Sequence, residues 1–248
     1  MRIGCTPFLN ARPLVWGLEM EHDIIPLPPS RMAKALLSKR VDVALIPVVD
    51  LFRDRRLRLL PAAAIGCRGA VRSVRLLSRD ALKRTTTLYA DSNSGTSVLL
   101  ALLLLRRVLG VRAPRVRKVD TMRFGPRSLK GGETLLQIGD IALRPAPKGL
   151  KVHDLGSLWM EWTGLPFVFA PWMVRRGSAP HGASALLKKA VREAMRVPSL
   201  VAKKYAPRGC SIHSCTCYLR HNLSFRVGSA ERKAIRLFGR LLRKEGLL

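Results

Sequence analysis

The chain has 248 residues, of which 48% are apolar, and its 45 Lys and Arg residues against 16 Asp and Glu residues give a net charge of +29. This length and apolar content predict a globular protein of one large or two small domains and exclude a disordered or fibrous chain. The longest apolar run, residues 98–105, is far shorter than the roughly 20 residues that a membrane span needs, so we expect no membrane partner.

The first part of the chain alternates short strands and helices. Strands are predicted at residues 2–5, 24–27, 41–46, 62–67 and 71–78, and helices at residues 10–20 and 31–39. This alternation predicts an α/β fold with a mostly parallel sheet and helices on both faces.

A second unit is predicted to begin near Thr86. Its elements are strands at residues 88–90, 133–138, 150–152 and 167–174, with an apolar helix at 98–109 that ends before Gly110. From about Gly177 onward the chain is predicted to be helical, including residues 183–195 and 230–243.

The positive charge is spread from Arg2 to Lys244 and does not form one tail. Its densest runs, residues 53–60 and 106–118, alternate with aliphatic residues as exposed helix and strand faces do. No zinc-finger spacing, RNP-type aromatic strand or glycine-rich clamp loop accompanies them. We therefore expect non-specific adhesion to nucleic acid but no specific nucleic-acid partner, and the same charge would attract a small dianion.

The N-terminus and the cysteines predict a cytoplasmic protein. The first ten residues, MRIGCTPFLN, develop no apolar signal-peptide region, and five cysteines are an odd number without a secretory context.

The segment 210–221 contains potential metal ligands, namely Cys210, His213, Cys215, Cys217 and His221. Its Cys-x-Cys spacing lacks the two-to-four-residue gap of zinc sites and no second pair follows, so we expect no metal site.

Two tryptophans, Trp159 and Trp162, lie three residues apart on a short predicted helix before a Thr-Gly-Leu-Pro turn and an apolar strand. Their spacing places both rings on one helix face. Rings beside such a turn are typical of the wall of a small-molecule cleft, which makes Trp162 a candidate substrate-binding residue. The alternative is that the helix and strand belong to the core.

The loop 91–97, DSNSGTS, joins a predicted strand to a predicted helix. Free N–H groups at a helix start, with hydroxyl side chains beside them, favour binding of a carboxylate or phosphate. Helix capping explains one of these residues but not four. Ser92, Ser94, Thr96 and Ser97 are therefore candidate substrate-binding residues.

Asn10 and the Gly139-Asp140 pair each follow a predicted strand, where open α/β sheets bind ligands. Asn10 could donate to and accept from a substrate, or cap a helix. Asp140 could orient a hydroxyl or take a proton, although capping the next helix is the conservative interpretation. We count Gly139 and Asp140 as candidate substrate-binding residues and interpret His153 as structural.

Four stretches together resemble one known family: PFLNARPL (7–14), VRSV (71–74), IGDIAL (138–143) and WTGLPFVFA (162–170). In this order they resemble the chorismate dehydratases of the futalosine route to menaquinone, and the resemblance extends from Arg2 to the segment SFRVGSAERKAIRLF. It implies a two-lobed type II periplasmic-binding-protein fold with the ligand between the lobes. We expect residues 1–86 with 176–248 to form lobe 1 and residues 87–175 to form lobe 2.

The resemblance also implies that Asn10 and Ser73 are the catalytic residues; without it, Ser73 is an unremarkable strand serine. The chain departs from the family pattern at two positions. Gly95 stands where relatives often carry Arg, so a direct cationic contact is missing or replaced. Pro171 removes a ladder donor from the returning strand, which predicts an edge or a bend there.

The implied activity is dehydration of chorismate, a dianion, to 3-[(1-carboxyvinyl)oxy]benzoate, with no metal or organic cofactor. Because the ring becomes aromatic, the reaction needs orientation and leaving-group stabilisation more than a strong base. One hypothesis is that the enolpyruvyl carboxylate of the substrate takes the ring proton. The alternatives are a sister 1,4-dihydroxy-6-naphthoate synthase, a non-catalytic small-anion binding protein of the same fold, and a nucleic-acid-binding protein suggested by charge alone.

Overall fold

The computed structural model describes residues 1–91, 94–120 and 124–248, and this part of the chain forms two five-stranded sheets. The strands in chain order are β1 (Arg2–Cys5), β2 (Asp23–Pro26), β3 (Val43–Leu45), β4 (Leu57–Cys67), β5 (Val74–Ser78), β6 (Thr87–Asp91), β7 (Arg115–Val119), β8 (Glu133–Ile138), β9 (Lys151–Asp154) and β10 (Phe167–Arg175). The α-helices are α1 (Pro29–Leu37), α2 (Asp50–Arg53), α3 (Thr96–Arg107), α4 (Leu155–Thr163), α5 (Ala183–Ala194), α6 (Pro198–Tyr205), α7 (Ile212–Cys217) and α8 (Ser229–Lys244).

The first sheet has the order β2-β1-β3-β10-β4. Strand β1 pairs in parallel with β2 and β3, as the alternation of short strands and helices predicts. Strand β10 is antiparallel to both of its neighbours. The chain therefore returns to this sheet after passing through the second one.

Pro171 lies in an interior strand, so the predicted edge position is wrong. The alternative prediction, a bend, agrees with an irregularity in the strand. The pairing of β10 with β4 shifts register between Val168 and Ala170 and again between Pro171 and Met173. Such irregularities accommodate a residue without an N–H inside a sheet. The carbonyl of Pro171 still accepts from the Ile46 N–H at 3.1 Å.

The second sheet has the order β7-β6-β8-β5-β9. Strand β6 is parallel to β7 and β8, whereas β5 is antiparallel to β8 and β9. Sheet membership changes between Cys67 and Val74, and not at residue 86, because the hydrogen bonds of β5 go to the second sheet. The chain returns to the first sheet at Phe167, where β10 begins. The division of the chain into lobes at residues 86 and 175 stays a prediction.

The first predicted helix, residues 10–20, is instead a short 3₁₀ helix, Leu9–Val15. Pro13 lies inside it and supplies no N–H, and Gly17 adopts a φ of +73° shortly after it. Both features stop an α-helix from continuing. The turn is held by its apolar side, since Leu9, Ala11, Leu14 and Val15 are buried.

Helix α3 is the apolar helix that the sequence predicts, and nine of its twelve residues are buried. It packs within a large hydrophobic cluster that contains side chains of both sheets. None of the described helices is both long and apolar enough to cross a membrane.

Candidate active site

A cleft is lined by residues of both sheets. Residues after β1, at the start of α3 and after β8 form one set of contacts, and Phe169 and Ala170 of β10 form another. Ligands bind at the carboxyl ends of strands in open α/β sheets. Of the predicted site residues, the structure brings six to this cleft: Asn10, Ser73, Ser94, Thr96, Ser97 and Gly139.

The other three predicted site residues are not in this group. Asp140 and Trp162 do not line the cleft, and Ser92 lies outside the described residues.

Two polar atoms at the cleft lack a partner. Oδ1 of Asn10 and Oγ1 of Thr6 are buried, and neither atom takes part in a hydrogen bond within the described part of the chain. A buried polar group without a partner costs about 1–3 kcal/mol. Both residues line the cleft, so a bound ligand could supply the missing hydrogen bonds. Thr6 is not among the site residues predicted from the sequence, although its place directly after β1 is the available signal.

Ser73 is almost fully buried, and its Oγ accepts a hydrogen bond from the hydroxyl of Tyr218 at 2.8 Å. Because this bond uses the serine oxygen as an acceptor, the serine proton remains free to be donated. Tyr218 is not among the site residues predicted from the sequence, and it lies in a turn of π-helix, Tyr218–Asn222, far from Ser73 in the chain.

The backbone around Ser73 is fixed from two sides. Both oxygens of the Asp154 carboxylate accept backbone N–H groups, from Val71 at 3.0 Å and from Arg72 at 2.6 Å. Arg72 has a φ of +59°, a conformation that costs energy for a side chain of this kind and persists where surrounding contacts hold it. On the other side, the Gly139 N–H donates to the Ser73 carbonyl at 2.9 Å.

Gly139 has a structural requirement of its own. Its φ is +69°, and a β-carbon there would lie 3.2 Å from the ring of Phe8. Glycine is thus required both for the backbone conformation and for the close approach of Phe8, which also lines the cleft.

Tyr218 is fully buried, and burial raises the pKa of its hydroxyl, opposed by the contacts with Ser73 and Asn10. The hydroxyl is therefore protonated at neutral pH and acts as a hydrogen-bond donor, not as a base. This places Ser73, Tyr218 and Asn10 in one buried polar group at the cleft wall.

The start of helix α3 lies at the cleft without a side-chain cap among the described residues. Gly95 is the N-cap residue and has no side chain to cap the helix, while Thr96 Oγ1 accepts from the Val49 N–H at 3.4 Å. Uncapped N–H groups at a helix start attract negative charge. The Nη1 atom of Arg53 lies 4.0 Å from the position that a Gly95 β-carbon would take, so a cation is present beside this glycine.

Asp140 joins two segments behind the cleft. Its Oδ1 accepts from the N–H of Leu9 at 3.0 Å, the first residue of the 3₁₀ helix that carries Asn10. Asp140 therefore does not cap the helix that follows it in sequence, as the conservative interpretation had it, but binds the first N–H of the helix Leu9–Val15. Burial raises the pKa of Asp140, opposed by this hydrogen bond and by Arg12.

The two tryptophans pack in the core. Trp159 is fully buried, donates from Nε1 to the Pro166 carbonyl at 3.2 Å, and contacts Phe167 and Phe238 edge to face. Trp162 is partly buried and lies against Trp159 at a ring distance of 5.9 Å. Of the segment 153–172, it is the strand residues Phe169 and Ala170 that reach the cleft.

His153 and the Cys and His side chains of the segment 210–221 do not line the cleft. His153 is on β9, and burial and the charge of Lys151 lower the pKa of its imidazole. Sγ of Cys217 is 3.6 Å from Nε2 of His213. Within the described ranges, no three His, Cys, Asp or Glu side chains are grouped so that they could hold a metal ion.

Solved structures with a similar fold include binding proteins. Protein AF1704 from Archaeoglobus fulgidus matches with a TM-score of 0.78 and 16% identity, covering 100% of this chain and 98% of that one. The alkanesulfonate-binding protein SsuA from Xanthomonas axonopodis pv. citri, bound to MOPS, matches with a TM-score of 0.69 and 14% identity, covering 100% and 93%. At these identities the likeness concerns the fold alone, and it confirms the predicted two-lobed α/β fold of the periplasmic binding proteins.

Relatives with similar sequences identify the family of this chain, which the solved structures do not. A chorismate dehydratase of Thermus thermophilus is 30% identical over 213 residues, which cover 78% of this chain and 76% of the relative. A chorismate dehydratase of Campylobacter jejuni is 27% identical over 233 residues, which cover 93% and 88%. A family model described as menaquinone biosynthesis matches residues 1–244. The chain therefore belongs to the menaquinone biosynthesis family.

Proposed function

We propose that this chain is a chorismate dehydratase that converts chorismate to 3-[(1-carboxyvinyl)oxy]benzoate, and that it acts in the cytoplasm in the futalosine route to menaquinone. Family membership and the two chorismate dehydratase relatives support this assignment. The hydroxyl and amide side chains that line the cleft also support it.

The observation that carries the proposal is the uncharged polar lining of the cleft. Among the described residues that line the cleft, none is His, Asp, Glu, Lys or Arg, whereas five carry a hydroxyl and one an amide. A lining of this kind can orient a substrate and stabilise a leaving group but cannot accept a proton at neutral pH. A reaction driven by formation of an aromatic ring, with a base supplied by the substrate, suits this lining.

In the proposed mechanism, the enolpyruvyl carboxylate of chorismate removes the proton from the ring carbon that bears the ether oxygen. The electron pair of that C–H bond forms the new ring double bond, and hydroxide leaves from the neighbouring ring carbon. The proton and the hydroxide together make the water that is lost. The Ser73 hydroxyl donates to the leaving oxygen, and Tyr218 holds the Ser73 oxygen in place.

Asn10 and the start of α3 bind the acidic groups in this proposal. Asn10 has an unused amide oxygen that can accept from a substrate hydroxyl, and its amide NH₂ can donate to the enolpyruvyl carboxylate. Ser94, Thr96 and Ser97, with the helix N–H groups, bind the ring carboxylate.

The test is to incubate the purified chain with chorismate at moderate salt and follow loss of one water by mass spectrometry. We expect product with the wild type and a severe loss of turnover in Asn10→Ala and Ser73→Ala. His153→Gln is the matched control, because His153 is a titratable side chain that does not line the cleft. If His153→Gln abolished turnover in a folded protein, a substrate-derived base would be excluded.

Retention of chorismate without turnover would instead indicate a binding protein or a sister enzyme of the same fold. The similarity to sulfonate-binding proteins makes this the second candidate at the level of fold. If the protein neither converts nor retains chorismate but binds nucleic acid in a salt-sensitive manner, the +29 charge would be best explained by nucleic-acid binding.

A further inference from the structure

A second cavity shares no lining residue with the cleft. We call it the arginine pocket and define it by Arg72, Arg75, Arg144, Asp154, Ser211 and Ser214. It adjoins the cleft through the chain itself, since Arg72 and Arg75 flank the cleft residues Ser73 and Val74.

Arg75 is the unusual member of this pocket. It is only 8% exposed, and it lies on β5 between Gln137 of β8 and Asp154 of β9. Its Nε and Nη2 both donate to the single Oε1 atom of Gln137, at 3.1 and 2.9 Å. In the described part of the chain it forms no ion pair, so a buried cation is left with a neutral partner.

Burial of a charge without a counter-charge is costly. Burial and the neighbouring charge of Arg72 lower the pKa of Arg75, in agreement with an excess of positive charge around it. The Gln137 contact uses two of the five N–H donors of the guanidinium, and the rest remain for a group in the pocket.

The other polar groups of the pocket add donors. Nη2 of Arg72 donates to Ser214 Oγ at 3.3 Å, which leaves the proton of that hydroxyl free to be donated. Nε of Arg144 donates to the Arg208 carbonyl at 3.1 Å, and its terminal N–H groups are exposed at the pocket rim. These contacts hold the side chains in place while leaving donors unused.

Asp154 is the acidic group of the pocket lining, and its oxygens are already engaged. Oδ1 accepts from Val71 and Ser157, and Oδ2 accepts from Arg72. With three arginines and one carboxylate, the lining has an excess of two positive charges.

We propose that the arginine pocket binds a small molecule through a phosphate group. Guanidinium groups bind phosphate oxygens bidentately, and the excess charge matches a phosphate dianion. Because the pocket and the cleft are lined by different residues, this proposal does not depend on the reaction proposed above.

The test is calorimetric titration of the full chain with pyrophosphate at fixed ionic strength, in a buffer free of other oxyanions. Arg75→Met removes the buried charge, and we expect it to weaken pyrophosphate binding by about tenfold or more. Arg144→Gln, at the exposed rim, gives a second variant in case Arg75→Met folds poorly, and it too should bind more weakly. Asn10→Ala, in the cleft, should bind pyrophosphate as the wild type does.

The matched control is Arg236→Gln, which removes one charge from an exposed position of α8. Equal losses in Arg236→Gln and Arg144→Gln would show attraction to the overall charge and would overturn the proposal. Absence of pyrophosphate binding by the wild type would overturn it as well. Pyrophosphate binding that an oligonucleotide abolishes by competition and that Arg75→Met leaves unchanged would place the binding on the outer surface and would also overturn the proposal.

Discussion

The hydroxyl of Tyr218 donates to Oγ of Ser73 across 145 residues of sequence, with a distance of 2.8 Å. Both side chains are buried, so no water competes for either partner. The bond fixes the orientation of a hydroxyl that faces the cleft. Tyr218 does not line the cleft, and we therefore regard it as a positioning residue that acts through Ser73.

Removal of this hydroxyl in Tyr218→Phe should lower kcat for chorismate dehydration by about tenfold with little change in KM, because one oriented hydrogen bond is lost while the ring still packs. In a Ser73→Ala background the same change should have almost no further effect. Steady-state kinetics on the four proteins of this cycle test the prediction. Tyr205→Phe, which removes an exposed hydroxyl bonded to Glu19, is the control and should leave kcat unchanged. Additive losses in the double variant would show that Tyr218 acts independently of Ser73.

Helix α4 packs so closely on the β4–β5 connection that Gly156 has no room for a side chain. A β-carbon there would clash with the Gly69 carbonyl and come within 2.7 Å of Cys67 Sγ. Gly156→Ala should therefore lower the free energy of unfolding by about 1–3 kcal/mol or more, measured by urea denaturation. Gly125→Ala is the matched control, since its φ is −73° and no atom of the described residues lies within 4 Å of the added carbon. That variant should stay within about 1 kcal/mol of the wild type. Equal effects in the two variants would argue against close packing at Gly156.

Two aspartates should give opposite pH dependences of stability. Burial raises the pKa of Asp140 above its ordinary value of 3.8, so its contribution is present below pH 3.8 and is lost as the pH rises through the raised pKa. The hydrogen bond from Arg2 lowers the pKa of Asp42, so its contribution is present above pH 3.8 and is lost as the pH falls through the lowered pKa.

Relative to the wild type, Asp140→Asn should therefore gain stability as the pH rises above 3.8, whereas Asp42→Asn should lose it as the pH rises from below that value. Thermal unfolding midpoints of the three proteins over this pH range are the measurement. Parallel curves for the two variants would contradict the prediction.

Substitutions of Trp159 and Trp162 can distinguish a structural role from a substrate-binding role. Trp159→Ala should lower the free energy of unfolding by about 3–5 kcal/mol, because a fully buried indole and its bond to Pro166 are lost. Trp162→Phe should cost much less, since its side chain is only partly buried. It should also leave KM for chorismate unchanged, because Trp162 does not line the cleft. A large rise in KM in a stable Trp162→Phe protein would return Trp162 to the substrate site.

Local sequence determined much of the fold and part of the candidate site. Alternating apolar segments set most strands and helices within a few residues, because period and capping are properties of neighbouring residues. Gly139 follows a strand, and Ser94, Thr96 and Ser97 lie at the start of a helix; they reach the cleft because the carboxyl ends of strands meet at one edge of a sheet. Asn10 reaches the cleft from the short helix after β1. Ser73 was identified only through its family resemblance.

Tertiary structure decided which distant groups meet. The partner of Ser73 is Tyr218, the N–H bonded by Asp140 is that of Leu9, and β10 lies inside the first sheet although it contains Pro171. None of these has a local signal, because each depends on strand order and on contacts between segments far apart in the chain. The same reason explains Trp162, whose spacing from Trp159 fixes the face that the two share but not whether that face meets a cleft or the core.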